Sequence, residues 1–421
     1  MRPVQHLPTR IALLGCGNVG REVAAHLARE GHELGVELVS VLVRDTTRDR
    51  GITPALITDR FEDVLDAAPD IIIELIGDVD PAGAFVERAL HVGIDVVTAN
   101  KTLIARRADH LARLARDNDC ALEYEAAVGA GIPIIAALRQ LAGDRIESIR
   151  GVLNGSCNYI LTRMANAGLS LEAAIAEAAA RGLVEPDPTA DISGRDSAEK
   201  LCVLAREAGF TGIDPSHVAC TGIERITRED LRLAARSGKT IKLIAELERD
   251  ADHVRLRVGP TLVDRRHPLA SVDAEDNAFI ITTRLAGPIT LRGKGAGPRP
   301  TTAAILGDVI RLARRHAHAR SPSGVGVSRA RTPEPVHAPS THPPRASTSR
   351  RPHRVRVDAP GIGADAVLEA IARTGLHTRD VLITRAGVCI DADGYEHEAW
   401  DLSRELGLDV DAAFVAPVLD E

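Results

Sequence analysis

Aromatic side chains are scarce in this chain: one Trp, three Tyr and five Phe among 421 residues. A core must therefore be assembled from Leu, Ile, Val and Ala, within a composition that is 44% hydrophobic. Six cysteines (Cys16, Cys120, Cys157, Cys202, Cys220 and Cys389) are scattered without a Cys-x-x-Cys pair. That argues against a disulfide framework or a zinc site and suits reduced thiols. No apolar run reaches the roughly 18 residues that a membrane helix needs. Met1 to Arg10 contains no apolar stretch ahead of the first strand, so a signal peptide is not expected. A cytoplasmic protein without a membrane partner is the expectation.

Charge is unevenly placed along the chain. Its net charge is −7, yet eleven arginines between Arg311 and Arg356 face a single acid, Glu334, a local excess of +10 that leaves −17 elsewhere. Residues 319–352 are rich in Pro, Ser and His and have neither apolar periodicity nor aromatics. They read as a disordered linker, and no nucleic-acid partner is expected.

Ahead of the linker, short apolar strands are expected at 10–14, 37–43, 70–76 and 95–98, with helical stretches between them, the first at 19–30. Strand alternating with helix predicts a parallel sheet with crossover helices, a Rossmann-type α/β domain over 1–128. Ligands bind such sheets at the carboxyl ends of the strands, where Gly77, Asn100 and Lys101 fall. From Gly129 the texture changes. A helix is expected at 132–141, a strand at 146–153, a loop at Asn154-Gly155-Ser156, and a helix from Ser197 to Ala208. Strand-like runs at 253–263 and 278–292 suggest an antiparallel or mixed sheet, giving an α+β domain over 129–300. A helix at 301–315 could pack back onto the first domain. Residues 353–421 read strand, helix (364–374), two strands (380–384, 387–391), helix (395–406), strand (410–417), a βαββαβ ferredoxin-like module.

The loop Gly15-Cys16-Gly17-Asn18-Val19-Gly20 sits between the first strand and the first helix. In such a loop the first glycine permits the tight turn, the second admits phosphate to the backbone, and the third lets helix pack on strand. The helix N-terminus then faces the pyrophosphate of a dinucleotide. A purely structural glycine turn is the plainer alternative. After the second strand stand Val43, Arg44 and Asp45, with Arg48 and Arg50 nearby. Arg44 is suited to a 2′-phosphate and favours NADP, whereas Asp45 could hold a ribose hydroxyl and keeps NAD open.

Residues 178–200 gather Glu185, Asp187, Asp191, Asp196 and Lys200. Carboxylates with a lysine suit a small amphoteric substrate and a proton transfer. The plainer reading of Asp196 and Lys200 is an i,i+4 helix pair, worth about 0.3–0.5 kcal/mol. For Glu185, Asp187 and Asp191 the rival is a divalent metal site.

Seven motifs in order carry a resemblance over about residues 10–315: the GCGNVG loop, ELIG (74–77), TANK (98–101), YEAAVGAGIPII (124–135), NGSCNYIL (154–161), the 178–200 segment and GKGAG (293–297). The chain resembles the homoserine dehydrogenase family, which interconverts L-homoserine and L-aspartate 4-semialdehyde with a nicotinamide cofactor on the route to threonine, isoleucine and methionine. The resemblance implies Lys200 as proton donor and acceptor, and Lys101 beside both nicotinamide and substrate. It implies Glu185 and Asp196 on the homoserine ammonium, with Asp196 also catalytic. Ser156 stands where the family usually has Thr at the substrate. Gly182 and Gly297 match glycines that approach the cofactor alongside Gly15, Gly17, Asn18, Val19 and Gly20. Glu125, Val128, Ala130 and Ile132 match a site for a monovalent cation, Na or K, built mostly from backbone carbonyls; a plain hinge at 128–131 is the alternative. The family also implies a homodimer or homotetramer through the second domain, and in many members a threonine-sensing ACT domain.

The chain departs from that pattern in places. Val184 replaces a small residue, Asp78 replaces a glycine near the cofactor, and Leu291-Arg292 stands where an aromatic pair is frequent. The C-terminal module keeps a Pro360-Gly361 turn but lacks most of the ACT pattern. It reads as a regulatory-type domain with no nameable ligand, or as a degenerate spacer. Two other functions stay open. An aspartate-semialdehyde dehydrogenase-like enzyme would need a nucleophilic cysteine with a histidine partner, and no such context is found. A catalytically impaired nucleotide-binding regulator would fit Asp78 and Val184, but not the intact set of Lys101, Glu185, Asp196 and Lys200.

Overall fold

The first strand, β1 (Thr9–Leu14), is buried on both faces apart from Arg10. It lies at the centre of a sheet with β2 (Val36–Leu42), β3 (Ile57–Thr58), β4 (Ile71–Glu74), β5 (Asp95–Thr98) and β6 (Leu122–Glu123). The order is β3-β2-β1-β4-β5-β6 and every pairing is parallel. Side-chain alternation sorts these strands into two cores. Ile11, Leu13, Ile71, Ile73 and Val97 enter one cluster, and Ala12, Leu14, Ile72 and Val96 enter the other. The first is filled by Val23 and Leu27 of α1 (Asn18–Leu34) and by Ile305, Val309 and Leu312 of α11 (Pro298–Ala319). The second is filled from α2 (Phe61–Asp66), α3 (Val79–His91) and α4 (Lys101–Asp117). Helices on both faces are the reason the strands read as near-continuous apolar runs.

The computed structural model describes residues 7–250, 253–319, 351–357, 364–374, 377–384, 387–394, 401–402, 405–406 and 413–419. The chain divides into two units, each discontinuous. The first comprises Met1–Ile149, Glu199–Pro215 and Asn277–Pro339, and the second Arg150–Ala198, Ser216–Asp276 and Ser340–Glu421. Besides the parallel sheet, the first unit holds α5 (Ile134–Gln140) and the hairpin strands β11 (Asp276–Thr283, from Asn277) and β12 (Gly287–Lys294). Strand β7 (Ile146–Val152) and helix α9 (Arg195–Glu207) each run through a boundary.

A charged network ties the first unit together. Arg139 of α5 reaches Glu123 and donates to Glu207 of α9 at 3.0 Å, and Tyr124 bonds the same Glu207. Arg311 of α11 donates to Glu123 and to Asp308, each at 2.6 Å. Burial alone would push Glu123 up, but Arg139 and Arg311 hold it below the ordinary carboxylate value. The planar, forked guanidinium faces two carboxylates at once with donors fixed in direction, a geometry the rotatable donors of a lysine do not impose.

The second unit holds α6 (Gly155–Ala167), α7 (Leu171–Ala180), α8 (Thr189–Ile192), β8 (Ala219–Cys220) and α10 (Arg228–Arg236). Its hairpin, β9 (Lys239–Asp250) with β10 (His253–Asp264), pairs antiparallel along twelve residues of each strand. The C-terminal elements are β13 (Arg351–Val357), α12 (Ala364–Thr374), β14 (His377–Thr384), β15 (Gly387–Gly394) and β16 (Ala413–Leu419). Their order, β16-β13-β15-β14, is antiparallel throughout, and β16 joins the edge of β10 in parallel through Leu262 with Val418 and Val263 with Leu419. Residues 320–350 of the expected linker, Pro360-Gly361 and most of the expected helix 395–406 lie outside the described residues. Among the described residues no helix is long and apolar enough to cross a membrane.

Several local expectations differ from the structure. The helix expected at 132–141 starts only at Ile134, because Pro133 occupies its N-cap. Asn154-Gly155-Ser156 is the start of α6 rather than a loop. The run 278–292 breaks into two strands around Arg284–Ala286. Both β9 and α10 were unforeseen. Residues Ile241–Leu247 of β9 are all buried, charged Lys242 and Glu246 included, so the strand has no apolar-polar alternation to read.

Past β10, buried His267 caps a single 3-10 turn, Pro268–Ser271, its Nδ1 accepting from Leu269 N at 3.2 Å. That role requires the neutral ring protonated on Nε2. Desolvation, then the positive Arg150, pushes its pKa below the ordinary 6.5. An unfolded imidazole takes up a proton that the folded one resists, so folding stability should fall as pH drops below about 6.5. His267→Asn keeps an acceptor at the cap and should flatten that fall in urea unfolding at about pH 7.5 and about pH 5.5. Equal pH slopes in the two proteins would count against the role.

Candidate active site

The carboxyl edge of the parallel sheet is shaped first by where side chains cannot go. Gly15 leaves β1 at φ +91°, and a Cβ there would lie 2.7 Å from the Leu75 carbonyl oxygen. A Cβ on Gly20 would lie 2.4 Å from the Gly15 carbonyl oxygen. Above Gly17, by contrast, nothing stands within 4 Å of the added carbon. Gly17 is the N-cap of α1, which has no side-chain cap and no acid in its first turn. The N–H groups and the positive end of the helix are left for an anion over Gly17, Asn18, Val19 and Gly20. The residues present fit a dinucleotide pyrophosphate.

Beyond β2, Arg44 is exposed. The Asp45 carboxylate instead accepts from Thr47 N at 2.9 Å and from Thr47 Oγ1 at 2.6 Å, and these bonds hold it below the usual carboxylate range. Arg50 turns back to the carbonyls of Asp45 and Arg48. The acid that would favour a free ribose hydroxyl is thus engaged in its own turn.

A hydrogen-bond relay crosses the same edge. Glu74, fully buried at the end of β4, accepts from Ile76 N and from Thr98 Oγ1, each at 2.6 Å. Burial pushes its carboxyl up, and the bonds from Thr98 and the backbone oppose that. Thr98 Oγ1 in turn accepts from Asn100 N at 2.9 Å, and Asn100 Oδ1 accepts from Leu103 N at 3.0 Å. Asn100 therefore caps α4, whose first residue is Lys101. One residue on, Thr102 Oγ1 donates to Glu199 Oε2 at 2.8 Å. Glu199 precedes Lys200 on α9, so the two lysines flank a hydrogen-bonded pair. Thr102 and Glu199 escaped the sequence reading, since nothing in either stretch hints at the other. Asp78 is exposed at the N-cap of α3, where a carboxylate meets the positive end of a helix. Gly297 immediately precedes α11, and its carbonyl accepts from Thr301 N and Oγ1 at 3.1 and 2.8 Å.

In the second unit, Asn154 follows β7 and caps α6, accepting from Cys157 N at 2.8 Å. Its Nδ2 donates to Asp191 Oδ1 at 2.6 Å and to Asp196 Oδ2 at 2.8 Å. Ser156 Oγ donates to the Leu183 carbonyl at 2.6 Å, fastening the loop that carries Val184 and the exposed Gly182 and Glu185. Asp196 lies one helical turn before Lys200 on α9. Asp187 is turned away to Thr189, N at 3.0 Å and Oγ1 at 2.5 Å. Among the described residues no group of three or more His, Cys, Asp and Glu side chains is arranged to hold a metal ion.

Glu125, Val128, Ala130 and Ile132 are all buried in the first unit. The Glu125 carboxylate accepts from Ile135 N at 2.8 Å and Ala136 N at 2.7 Å, so it caps α5. Burial pushes Glu125 up to about 7 and its neighbour Asp308 to about 6. Ala130 is held at φ +44°, a strained value for a residue with a Cβ. Burial also raises the thiols of Cys16, Cys202 (to about 12) and Cys220 (to about 11), which disfavours a thiolate nucleophile at any of them.

A family profile for homoserine dehydrogenase matches residues 133–310, and one for the homoserine dehydrogenase NAD binding domain matches residues 15–125. The chain is 39% identical over 322 residues to homoserine dehydrogenase of Corynebacterium glutamicum, spanning 73% of this chain and 72% of that one. Among solved structures it is similar to a homoserine dehydrogenase from Thiobacillus denitrificans, with a TM-score of 0.83 and 30% identity over 98% of each chain. A hyperthermophilic archaeal homoserine dehydrogenase mutant in complex with NADPH is similar over 73% of this chain and 98% of its own, with a TM-score of 0.64 and 30% identity. By these matches the chain belongs to the homoserine dehydrogenase family, nicotinamide-dependent oxidoreductases acting on a CH–OH group.

Proposed function

We propose that the chain interconverts L-homoserine and L-aspartate 4-semialdehyde with NADP, using Lys200 to move the proton. The observation that carries this reading is α9. It presents Asp196 and Lys200 on successive turns, while the Thr102–Glu199 bond holds the Lys101 turn against it. The bound nicotinamide supplies or takes up the hydride. In the reducing direction Lys200 donates a proton to the oxygen of the aldehyde as negative charge builds there, and in the oxidising direction it accepts the hydroxyl proton. Asp196 and Glu185 hold the substrate ammonium, and the hydroxyl of Ser156, at the start of α6 and bonded to the loop that carries Glu185, orients the substrate. Lys101, fixed at the head of α4, adds positive charge beside the nicotinamide and the reacting oxygen.

The open space over Gly17 and the uncapped α1 support pyrophosphate binding, and the family resemblance supports a cofactor role for Gly182 and Gly297. Arg44 supports NADP over NAD, because Asp45 is engaged by Thr47. The strained Ala130 supports a monovalent cation on the carbonyls of Glu125, Val128, Ala130 and Ile132, since such strain persists where a function requires it. The strand order of the C-terminal module supports a regulatory domain, and the family supports assembly into a homodimer or homotetramer.

Lys200→Ala should lower kcat by about a hundred- to ten-thousand-fold in homoserine-dependent NADP reduction while nucleotide affinity stays near wild type. Full turnover in that variant would sink the proton-transfer role. Arg44→Ala should raise KM for NADP roughly tenfold and leave KM for NAD nearly unchanged, the loss expected for one charged hydrogen-bond partner. A parallel change in both constants would place Arg44 away from the 2′-phosphate.

A further inference from the structure

At the end of β7 one neutral amide stands between two carboxylates. Both hydrogens of Asn154 Nδ2 are committed, one to Asp191 and one to Asp196, and Oδ1 is committed to the first turn of α6. Unlike a lysine or an arginine, the amide brings no charge of its own to the two acids it joins. An N-cap needs only the oxygen, so the two bonds from Nδ2 serve something besides helix capping.

Asn154 is itself firmly held. It is only 4% exposed. One turn along α6, Asn158 donates to the carbonyls of Val272 and Ala274 at 2.9 and 3.0 Å. The buried Lys242 donates to Asn158 Oδ1 at 2.9 Å and to the Val272 carbonyl. The same 272–276 loop presses on the helix start, since a Cβ on Gly155 would lie 2.5 Å from the Glu275 carbonyl oxygen. On the other side, Cys157 Sγ donates to the Asp191 carbonyl at 3.2 Å. The amide therefore has little freedom to swing.

We infer that Asn154 is a positioning residue for substrate binding: its amide, anchored on Asp191, fixes the Asp196 carboxylate in the orientation that receives the substrate ammonium. This rests on the reading of Asp196 given above. Preorganisation of this kind reduces what must be ordered when substrate arrives.

Asn154→Ser and Asn154→Asp separate positioning from capping, because each keeps an oxygen for Cys157 N. In the full chain, Asn154→Ser should melt near the wild-type temperature and leave KM for the nucleotide within about twofold. Its KM for homoserine should rise about tenfold to a hundredfold, the loss expected for hydrogen bonds to charged groups. Asn154→Asp should lose more, and regain part of it as pH is lowered and the third carboxyl takes up a proton. A wild-type homoserine KM in Asn154→Ser overturns the inference. So does a rise matched by equal losses in melting temperature and nucleotide affinity, which would make Asn154 only a cap. Absence of turnover in the unmutated protein would instead count against the proposed reaction. Calorimetric binding of homoserine to the nucleotide-loaded chain would then still read the positioning, with equal affinities in wild type and Asn154→Ser overturning it.

Discussion

The parallel sheet leaves its strand ends to be organised by polar groups, and Glu74 is the group on which that edge depends. It is a carboxyl with no solvent contact, at the strand beside β1, holding both the turn that leaves β4 and the hydroxyl at the end of β5. A buried carboxyl is costly unless its oxygens are satisfied, and here both oxygens accept bonds. From Thr98 the relay passes to Asn100 and so to the head of α4. The position of Lys101 is thereby set by hydrogen bonds that begin one strand away.

The second unit repeats the device with different parts. Asn100 follows β5 and caps α4, and Asn154 follows β7 and caps α6. In each case a carboxamide converts the end of a strand into the start of a helix, and the next one or two residues carry a side chain assigned to the reaction. Both amides accept through the oxygen, and that of Asn154 also donates through its nitrogen. Asn100 receives its order from Glu74 through Thr98, whereas Asn154 imposes order on Asp191 and Asp196.

Much of this is legible in the amino-acid sequence. The GCGNVG loop, the apolar strands and the carboxylate-rich 178–200 segment announce themselves, because each is a local pattern with a local cause. What stayed hidden is non-local or off-pattern. Thr102 and Glu199 acquire a role only when α4 and α9 meet. Strand β9 buries charged side chains along with apolar ones, so periodicity could not identify it. Helix α10 carried a readable sign, the capping box of Thr227 and Asp230, but its polar composition obscured it. Asp187 and Asp191 looked equivalent as acids in a loop, yet one caps its own turn and the other anchors Asn154. Partner choice of that kind depends on packing from residues far away in sequence.

Helix α9 supplies the remaining constraint, on where the proposed groups are anchored. Four residues of helix rise about 6 Å, which sets the step from Asp196 to Lys200. Both anchor points, for the proposed ammonium anchor and for the proposed proton group, are therefore carried by one helix. Lysine is long and mobile, but its anchor point is not: Thr102 bonds the residue just before it, and Asn154 bonds the carboxylate one turn back. Each of the two steps of the helix is thus held by a neutral hydrogen-bond donor, a hydroxyl at one and an amide at the other.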